Sequence, residues 1–498
     1  MGDSMKAGSH ILQAILAAVA LALPAVAANG QPSKPNFLVL LADDMRADAV
    51  GAYGNPAIKT PAIDRLIREG FSFREAHCMG SMHGAVCIPS RAMLMTGRGW
   101  MHLNMELKPP VETLPQILGQ TGWQTFIAGK WHNGGPSCER SFQSGDAVFL
   151  GGMTDQFHPK LSTLRNHRLG EGRVTDGYST DAIADAAVAF LKRQGAPAGE
   201  GNDGDERAPF FAWVAFTVPH DPRTPKEKLP VTYDPATMAL PKNFLPQHPF
   251  DNGWLTVRDE ELLGWPRQPD EIRRELAAYY AMISHMDARI GDILDVLQRQ
   301  GLAENTYVCF LADHGLALGS HGLLGKQSLY EHSMKAPFVL RGPGVPAGKE
   351  TRALTYLHDL TPTLFAKTGI DWPGDPDDVA GPDCPGQSLW PLIEGQADGW
   401  RKTLFTAFSS QMRALRDERW KIIRYPRVNV TQLFDLQSDP DEMNDLSAKE
   451  PERVKAMLGQ LAEHQKESDD RLALTVDKPS PATIDLSGRA ANPKARKP

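Results

Sequence analysis

The feature that most limits what this chain can fold into is a set of short apolar runs, residues 37–42, 125–128, 210–217 and 307–312, each closed by polar residues of a kind used in catalysis. Continuous apolar runs of this length fit strands buried on both faces. Helical patterns alternate with them: residues 61–70, residues 180–193 with Thr180 as N-cap, and residues 270–300, where Tyr279, Ile283, Met286, Ile290, Ile293 and Leu297 share one face until Gly301 stops the helix. Such alternation predicts an α/β fold, a large mostly parallel sheet sandwiched by helices. In open sheets of this kind ligands bind outside the carboxyl ends of the strands. Asp43-Asp44, Lys130 with His132, His220, and Asp313-His314 would therefore converge on one pocket. Taken singly, each has a structural reading as good as the functional one: an N-cap pair, a solvated lysine, a histidine before a turn.

The chain is long enough for one large domain and an appendage, with 498 residues of which 41% are hydrophobic. We place the large α/β domain at residues 28–375. A smaller α+β domain at 376–475 follows a stretch crowded with Pro, Gly and Asp, and holds hairpin-like strands at 415–425 and 432–436 and a helix that aligns Val454, Met457, Leu458 and Leu461. Residues 476–498, basic and proline-rich, are expected to be a disordered tail.

At the other end, Lys6, the apolar stretch 11–23 and Ala25-Val26-Ala27 have the layout of a cleavable secretory signal over residues 1–27. The stretch is short of the roughly 20 apolar residues a bilayer requires, so a secreted or periplasmic protein without a membrane span is expected. With 53 Lys+Arg against 60 Asp+Glu the chain is mildly acidic, which argues against nucleic acid as a general partner. An anionic substrate must then be caught by a local cationic pocket. Five cysteines, Cys78, Cys87, Cys138, Cys309 and Cys384, leave at least one without an internal partner. Cys309, inside an apolar run, reads as core. Asn429-Val430-Thr431 is a glycosylation sequon that matters only in a eukaryotic secretory host.

Cys87-Ile88-Pro89-Ser90-Arg91, followed by Thr96-Gly97-Arg98, is the most specific local signal. Ser90 reads as the N-cap of a short helix entered through Pro89, which puts Cys87 beside a helix N-terminus where unpaired N–H groups attract an anion. This stretch resembles the signature of the type I sulfatases of the alkaline phosphatase superfamily, in which the cysteine is oxidised after translation to formylglycine. The resemblance runs from Asn36 to about Leu446. It takes in Asp43-Asp44, the helix beginning Thr60-Pro61, Gly129-Lys130-Trp131-His132, Val218-Pro219-His220, Gly325-Lys326, His358-Asp359-Leu360 and residues 413–425, in the family's order. It implies an alkaline phosphatase-like fold.

The resemblance also implies roles. Asp43, Asp44, Asp313 and His314 would ligate a divalent metal, with modified Cys87 completing the shell. Oxygen ligands without a thiolate favour Ca²⁺ over Zn²⁺ or Cu²⁺ and leave Mg²⁺ open. His314 stands where many members carry Asn, so it either ligates or supports a ligand. The formylglycine hydrate would attack sulfur with help from Arg91, and Lys130, Lys326 and His220 would hold the sulfate oxygens. His220 or Lys326 would protonate the leaving alcohol, and His132 would deprotonate the second hydroxyl so that sulfate departs. A formylglycine-generating maturation enzyme is an implied partner. His83, His321, residues 221–223 and the aromatics Phe244, Phe250, Trp254 and Trp265 are candidate contacts to the group bearing the sulfate; a loop histidine bonded to backbone is the alternative for His83 and His321, and packing under a long loop that for the aromatics. The overall pattern is most similar to secreted bacterial sulfatases of carbohydrate and choline type, and sulfated carbohydrate is the expected substrate. The alternatives are a phosphonate monoester or phosphodiester hydrolase of the same superfamily, and a non-catalytic sulfated-glycan-binding protein.

Overall fold

The computed structural model describes residues 34–196, 208–225, 231–373, 385–495 and 497. The signal-like residues 1–27, Cys384 and the expected boundary at 375/376 lie outside the described residues. From Pro35 onward the chain forms one compact unit.

Its centre is an eleven-stranded mixed sheet. Five neighbouring strands run parallel, in the order Thr306–Ala312, Asn36–Ala42, Phe210–Ala215, Gln124–Lys130 and Ser144–Phe149. Antiparallel strands extend both edges, Phe338–Arg341 on one side and Lys160–Arg165 on the other. The sheet is thus parallel at its core, where continuous apolar sequence marks strands covered on both faces, and again at one edge, where Lys349–Tyr356 pairs parallel with Phe71–His77. Beyond Phe338–Arg341 the strands Phe71–His77 and Lys349–Tyr356 carry charged residues, so an apolar-run criterion passes over them.

The long helix Pro269–Arg299 packs against Pro61–Glu69 and Ser179–Gly195, burying Tyr279, Ile283, Met286, Ile290, Ile293 and Leu297 as the periodicity requires. The second of these helices starts one residue earlier than its expected cap, with Tyr178 rather than Thr180 before the first turn.

Register aligns the strand ends. Ala42 lies opposite Ala312, so Asp43 and Asp313 leave the sheet side by side, and Leu41 and Gly129 flank Ala215. At Gly129 (φ +86°) a Cβ would lie 1.9 Å from the Ala215 carbonyl oxygen, which only glycine avoids as the strand turns Lys130 inward.

A second, five-stranded sheet holds Leu404–Phe408, Met412–Arg416, Trp420–Tyr425 and Val430–Asp435, covered by the helix Pro451–Glu467 with Met457 and Leu461 buried. Its fifth strand, Gly80–Ser81, comes from the segment just ahead of Cys87, so the small sheet braces the entry to the cysteine helix. Residues 480–495, expected as a loose tail, instead lie along the body, with Leu486 and Ala495 buried. Their composition hides this because backbone groups make hydrogen bonds that hold the segment in place. Among the described residues no helix is long and apolar enough to cross a membrane.

Candidate active site

The cysteine helix begins at Cys87 itself, not at Ser90, and runs Cys87–Thr96. Ser90 is therefore one turn inside, where its hydroxyl donates to the Asp313 carbonyl (2.6 Å) and ties the helix to the end of the central strand. Arg91, 1% exposed, spans three partners: Nε to Asp313 Oδ2 (3.1 Å), one Nη to the Lys130 carbonyl (2.8 Å) and the other to Asp43 Oδ1 (3.3 Å). One side chain thus locks the ends of three strands, a use that the fixed fork of guanidinium suits better than a flexible ammonium does.

Cys87 Sγ lies 3.2 Å from His132 Nδ1 and 3.6 Å from Lys130 Nζ. Burial pushes its thiol up, but Lys130, Lys326 and His314 outweigh that and hold it below the usual range. The contrast with the other described cysteines is plain: burial raises Cys309, raises Cys138 with Glu139 adding to it, and chiefly drives Cys78 up to about 12. His132, with φ +75°, is kept neutral by burial and by the Lys130 and Arg91 charges.

Lys130 Nζ is bound to Asp43 Oδ2 (2.6 Å). Lys326 Nζ reaches both Asp44 oxygens (3.0 and 2.9 Å) and His220 Nε2 (2.9 Å). His220 Nδ1 faces the Asp221 carbonyl (2.7 Å), which fixes the proton there and leaves Nε2 to accept from the ammonium. Burial opposes the Lys326 charge, but Asp44 and its neighbours hold its proton well above the ordinary range.

Ligand atoms of Asp44, Asp313 and His314 lie within 4.8 Å of one another, all buried. His314 Nδ1 is 2.9 Å from the Gly315 carbonyl, while its Nε2 has no hydrogen-bond partner, 3.3 Å from Asp44 Oδ1 and 3.7 Å from Asp313 Oδ1. Burial pushes this imidazole down, yet Asp313 and Asp44 raise it to about 9, so the pocket asks for positive charge between His314 and the two carboxylates. An orphaned imidazole nitrogen beside two carboxylates fits a bound divalent cation. Asp43 lies outside that triple, turned toward Lys130 and Arg91.

A cavity of about 310 Å³ opens over these groups. Cys87, His132, His220 and Lys326 form its floor, and Trp254, Arg258, Asp259 and Gln327 are among its walls. All ten residues singled out from the sequence come together around it. The outer candidates divide. Trp254 lines the cavity, and Asp221 sits behind its wall, bound to Arg258. His83 turns back to accept from Ala85 N (3.2 Å), and Arg223 is spent on Glu275 (2.8 Å). His321 stacks on Tyr330 with centroids 3.9 Å apart and bonds the Glu442 carbonyl, which makes it a packing residue. Phe250 packs edge-on against Tyr425, and Arg267 lies over Trp265. Arg258, Asp259 and Gln327 are absent from the sequence reading. Gln327 follows Lys326 directly and was within reach, whereas the pair at 258–259 sits in irregular chain without a pattern.

The family profile described as Sulfatase matches residues 35–370, and that of N-sulphoglucosamine sulphohydrolase, C-terminal, matches residues 319–468. The chain is 25% identical to an N-acetylglucosamine-6-O-sulfatase of Bacteroides thetaiotaomicron, over 94% of this chain and 92% of that one. It is 27% identical to a choline-sulfatase of Rhizobium meliloti, over 83% and 82%. Among solved structures, one determined in complex with its substrate D-glucosamine-2-N,6-O-disulfate superposes with a TM-score of 0.70 at 22% identity, covering 88% of this chain and 99% of that one. A phosphonate monoester hydrolase of Agrobacterium radiobacter shares the fold with a TM-score of 0.65 at 21% identity, over 88% and 96%.

Proposed function

Because the chain belongs to the sulfatase family and is a sulfuric ester hydrolase, we propose that it releases inorganic sulfate from a sulfated carbohydrate, using formylglycine made from Cys87 and a bound Ca²⁺. The observation that carries this reading is the setting of Cys87. It is the first residue of a helix, on the floor of a cavity, with a lysine and a neutral imidazole in reach of its sulfur.

A sulfate ester resists nucleophiles because its anionic oxygens repel them, so the site must offset that charge while keeping the attack in line. Lys326 on the floor and Lys130 beside residue 87 hold the sulfate oxygens, and Arg91 fixes the strand end that carries Lys130. Asp44, Asp313 and His314, with Asp43 and residue 87 nearby, would hold the ion. When bound, it supplies positive charge to the sulfate and helps ionise the nucleophile. The hydrated aldehyde at position 87 supplies two hydroxyls, one to attack sulfur and one whose deprotonation expels sulfate, where a serine would remain blocked. His132, at contact distance from residue 87, takes that second proton. The sulfate charge offsets Lys130 and Arg91 and returns basicity to the ring. His220 and Lys326 share a hydrogen bond at the cavity floor and deliver the proton that the leaving alcohol needs.

For the substrate, Trp254 offers an aromatic wall and Arg258, Asp259 and Gln327 offer polar contacts, a combination suited to a sugar ring with hydroxyls. The sulfated sugars that the relatives' names specify support the same choice. Export to the periplasm or beyond rests on the signal-like residues 1–27, and maturation calls for a formylglycine-generating enzyme.

The test is a panel of sulfated mono- and oligosaccharides against choline sulfate, an aryl sulfate and a phosphonate monoester. The proposal expects kcat/KM on a sulfated saccharide to exceed the others by about a hundredfold. A preference for the phosphonate ester would overturn it, and absence of any turnover would favour a binding protein.

A further inference from the structure

Residues 480–495 run along the irregular segment 247–265, which supplies one wall of the active-site cavity. The two segments exchange backbone groups: Asp251 N donates to the Ala482 carbonyl (2.7 Å), Trp265 N to that of Arg489 (2.9 Å), Gly488 N to that of Trp265 (3.2 Å) and Asn492 N to that of Glu261 (2.8 Å). They approach so closely that a Cβ at Gly264 would lie 3.1 Å from the Arg489 carbonyl oxygen. Side chains add to this. Arg489 and the Asn492 amide both bind the Glu261 carboxylate, at 2.5 and 2.7 Å. The Ala495 carbonyl accepts from Arg258 Nε (2.8 Å), whose other nitrogens hold Asp221 and Asp259 (3.0 Å) at the cavity wall.

These contacts lead to the catalytic floor. Beside Glu261 is Glu260, 4% exposed, whose carboxylate accepts from the backbone N–H groups of Leu324 (2.9 Å) and Gly325 (2.8 Å), immediately ahead of Lys326, and from Arg267 (2.5 Å). The 3-10 turn Glu260–Leu262 is thus held by Arg489 and Asn492 on one side and holds the backbone that presents Lys326 on the other. The small sheet supports the start of this segment, where Trp254 packs edge-on against Phe408 and Arg427 binds Asp251, and residues 480–495 support the rest through the backbone bonds above. Without residues 480–495 the wall loses backbone partners, and Arg258 loses the acceptor that fixes its Nε.

We infer that residues 480–495 are a positioning strap for the active site, fixing Lys326 through Glu261 and Glu260 and fixing Arg258 directly. The turnover part of the test rests on the sulfatase reading above, and a second readout does not. Chains ending at 479, together with the full-length double variant Arg489→Ala/Asn492→Ala, are compared with the intact protein by amide hydrogen exchange and by sulfate release per folded molecule, below the melting transition. The strap predicts exchange about tenfold faster in residues 247–265 and 322–327, with the strand Asn36–Ala42 unchanged. It predicts kcat/KM lower by about ten- to a hundredfold, because misplacing a reacting group by an ångström has that effect. The kcat of a small aryl sulfate falls through Lys326, the KM of a saccharide sulfate rises through Arg258, and a synthetic peptide of residues 480–498 added in trans restores both. A purely structural role would lower the melting temperature and leave kcat per folded molecule unchanged. Unaltered exchange in the two segments, with kcat/KM within about twofold of the intact enzyme, overturns the inference, and the double variant decides it if the shortened chain does not fold. Failure of the intact chain to release any sulfate would count against the sulfatase reading alone, since the exchange measurement would still stand.

Discussion

Asp44, Asp313 and His314 beneath the cavity floor, and Glu75, His77 and the partly buried Glu331 at the seam between the two sheets, are groups of acids and imidazole with the same ligand-like spacing. Their surroundings differ. At the seam Glu75 meets Lys335 (2.8 Å) and Arg416 (3.0 Å), and Glu331 meets Arg416 (2.8 Å) and Lys421 (2.9 Å). Both nitrogens of His77 are engaged, at 3.1 Å from the Glu75 carbonyl and 3.0 Å from Glu331, and burial holds its pKa below the usual range. At the floor one nitrogen of His314 is left over, and its surroundings raise it instead. The seam also borders the larger cavity, about 1000 Å³. Spacing and cavity size therefore do not distinguish a site from a structural network. What distinguishes them is whether the charges are already satisfied by one another.

The largest effect expected is at the floor. Cys87→Ala should cut sulfate release by about a thousandfold or more while the melting temperature stays within a few degrees, because no other residue supplies the nucleophile. A variant that keeps substantial turnover would remove the chemical distinction between the two clusters.

Metal removal should come next. Dialysis against a chelator should lower turnover by about a hundredfold, with Ca²⁺ restoring it, and should leave seam exchange rates untouched. Full activity in metal-free protein, checked by elemental analysis, would show that the orphaned His314 nitrogen is no cation site.

Glu331→Gln sharpens the other half of the comparison. It takes one carboxylate from Arg416, which keeps Glu75, and one from Lys421, which keeps Glu442, and should lower stability by about 3 kcal/mol in urea unfolding through the charge-assisted bonds lost, with kcat per folded molecule retained. Loss of kcat in the folded variant would tie the seam to catalysis.

The smallest effect is a pH dependence near the seam. His321 is pushed down to about 4, chiefly by burial, with Lys421 and Arg46 adding to it, against about 6.5 unfolded. The folded form binds fewer protons than the unfolded chain between these values, so this contribution is complete above pH 6.5 and is lost as pH falls toward 4. In His321→Gln the fall in unfolding free energy over that window should be shallower, by up to about 1.4 kcal/mol per pH unit. An unchanged slope would place the titration elsewhere.

The central strands and the groups at their ends were legible in the sequence because burial on both faces leaves an uninterrupted apolar run, and the residue after the run marks the pocket. Cys87 to Arg91 was legible as a motif, though the place of Ser90 was not: its hydroxyl serves a carbonyl more than 200 positions away, and local capping rules do not see such a partner. Arg258 and the strap were hidden for the same reason, since their roles come from backbone acceptors brought near only by the fold. His83 and His321 are of the same residue type as His132 and His220 and differ from them in partners that no spacing reveals.

Mass spectrometry of the proteolytic peptide that carries residue 87, taken from protein of measured specific activity, tests the central claim most directly. The account predicts an aldehyde or its hydrate at that position, in proportion to activity across preparations. A fully active preparation holding only the unmodified thiol would contradict it.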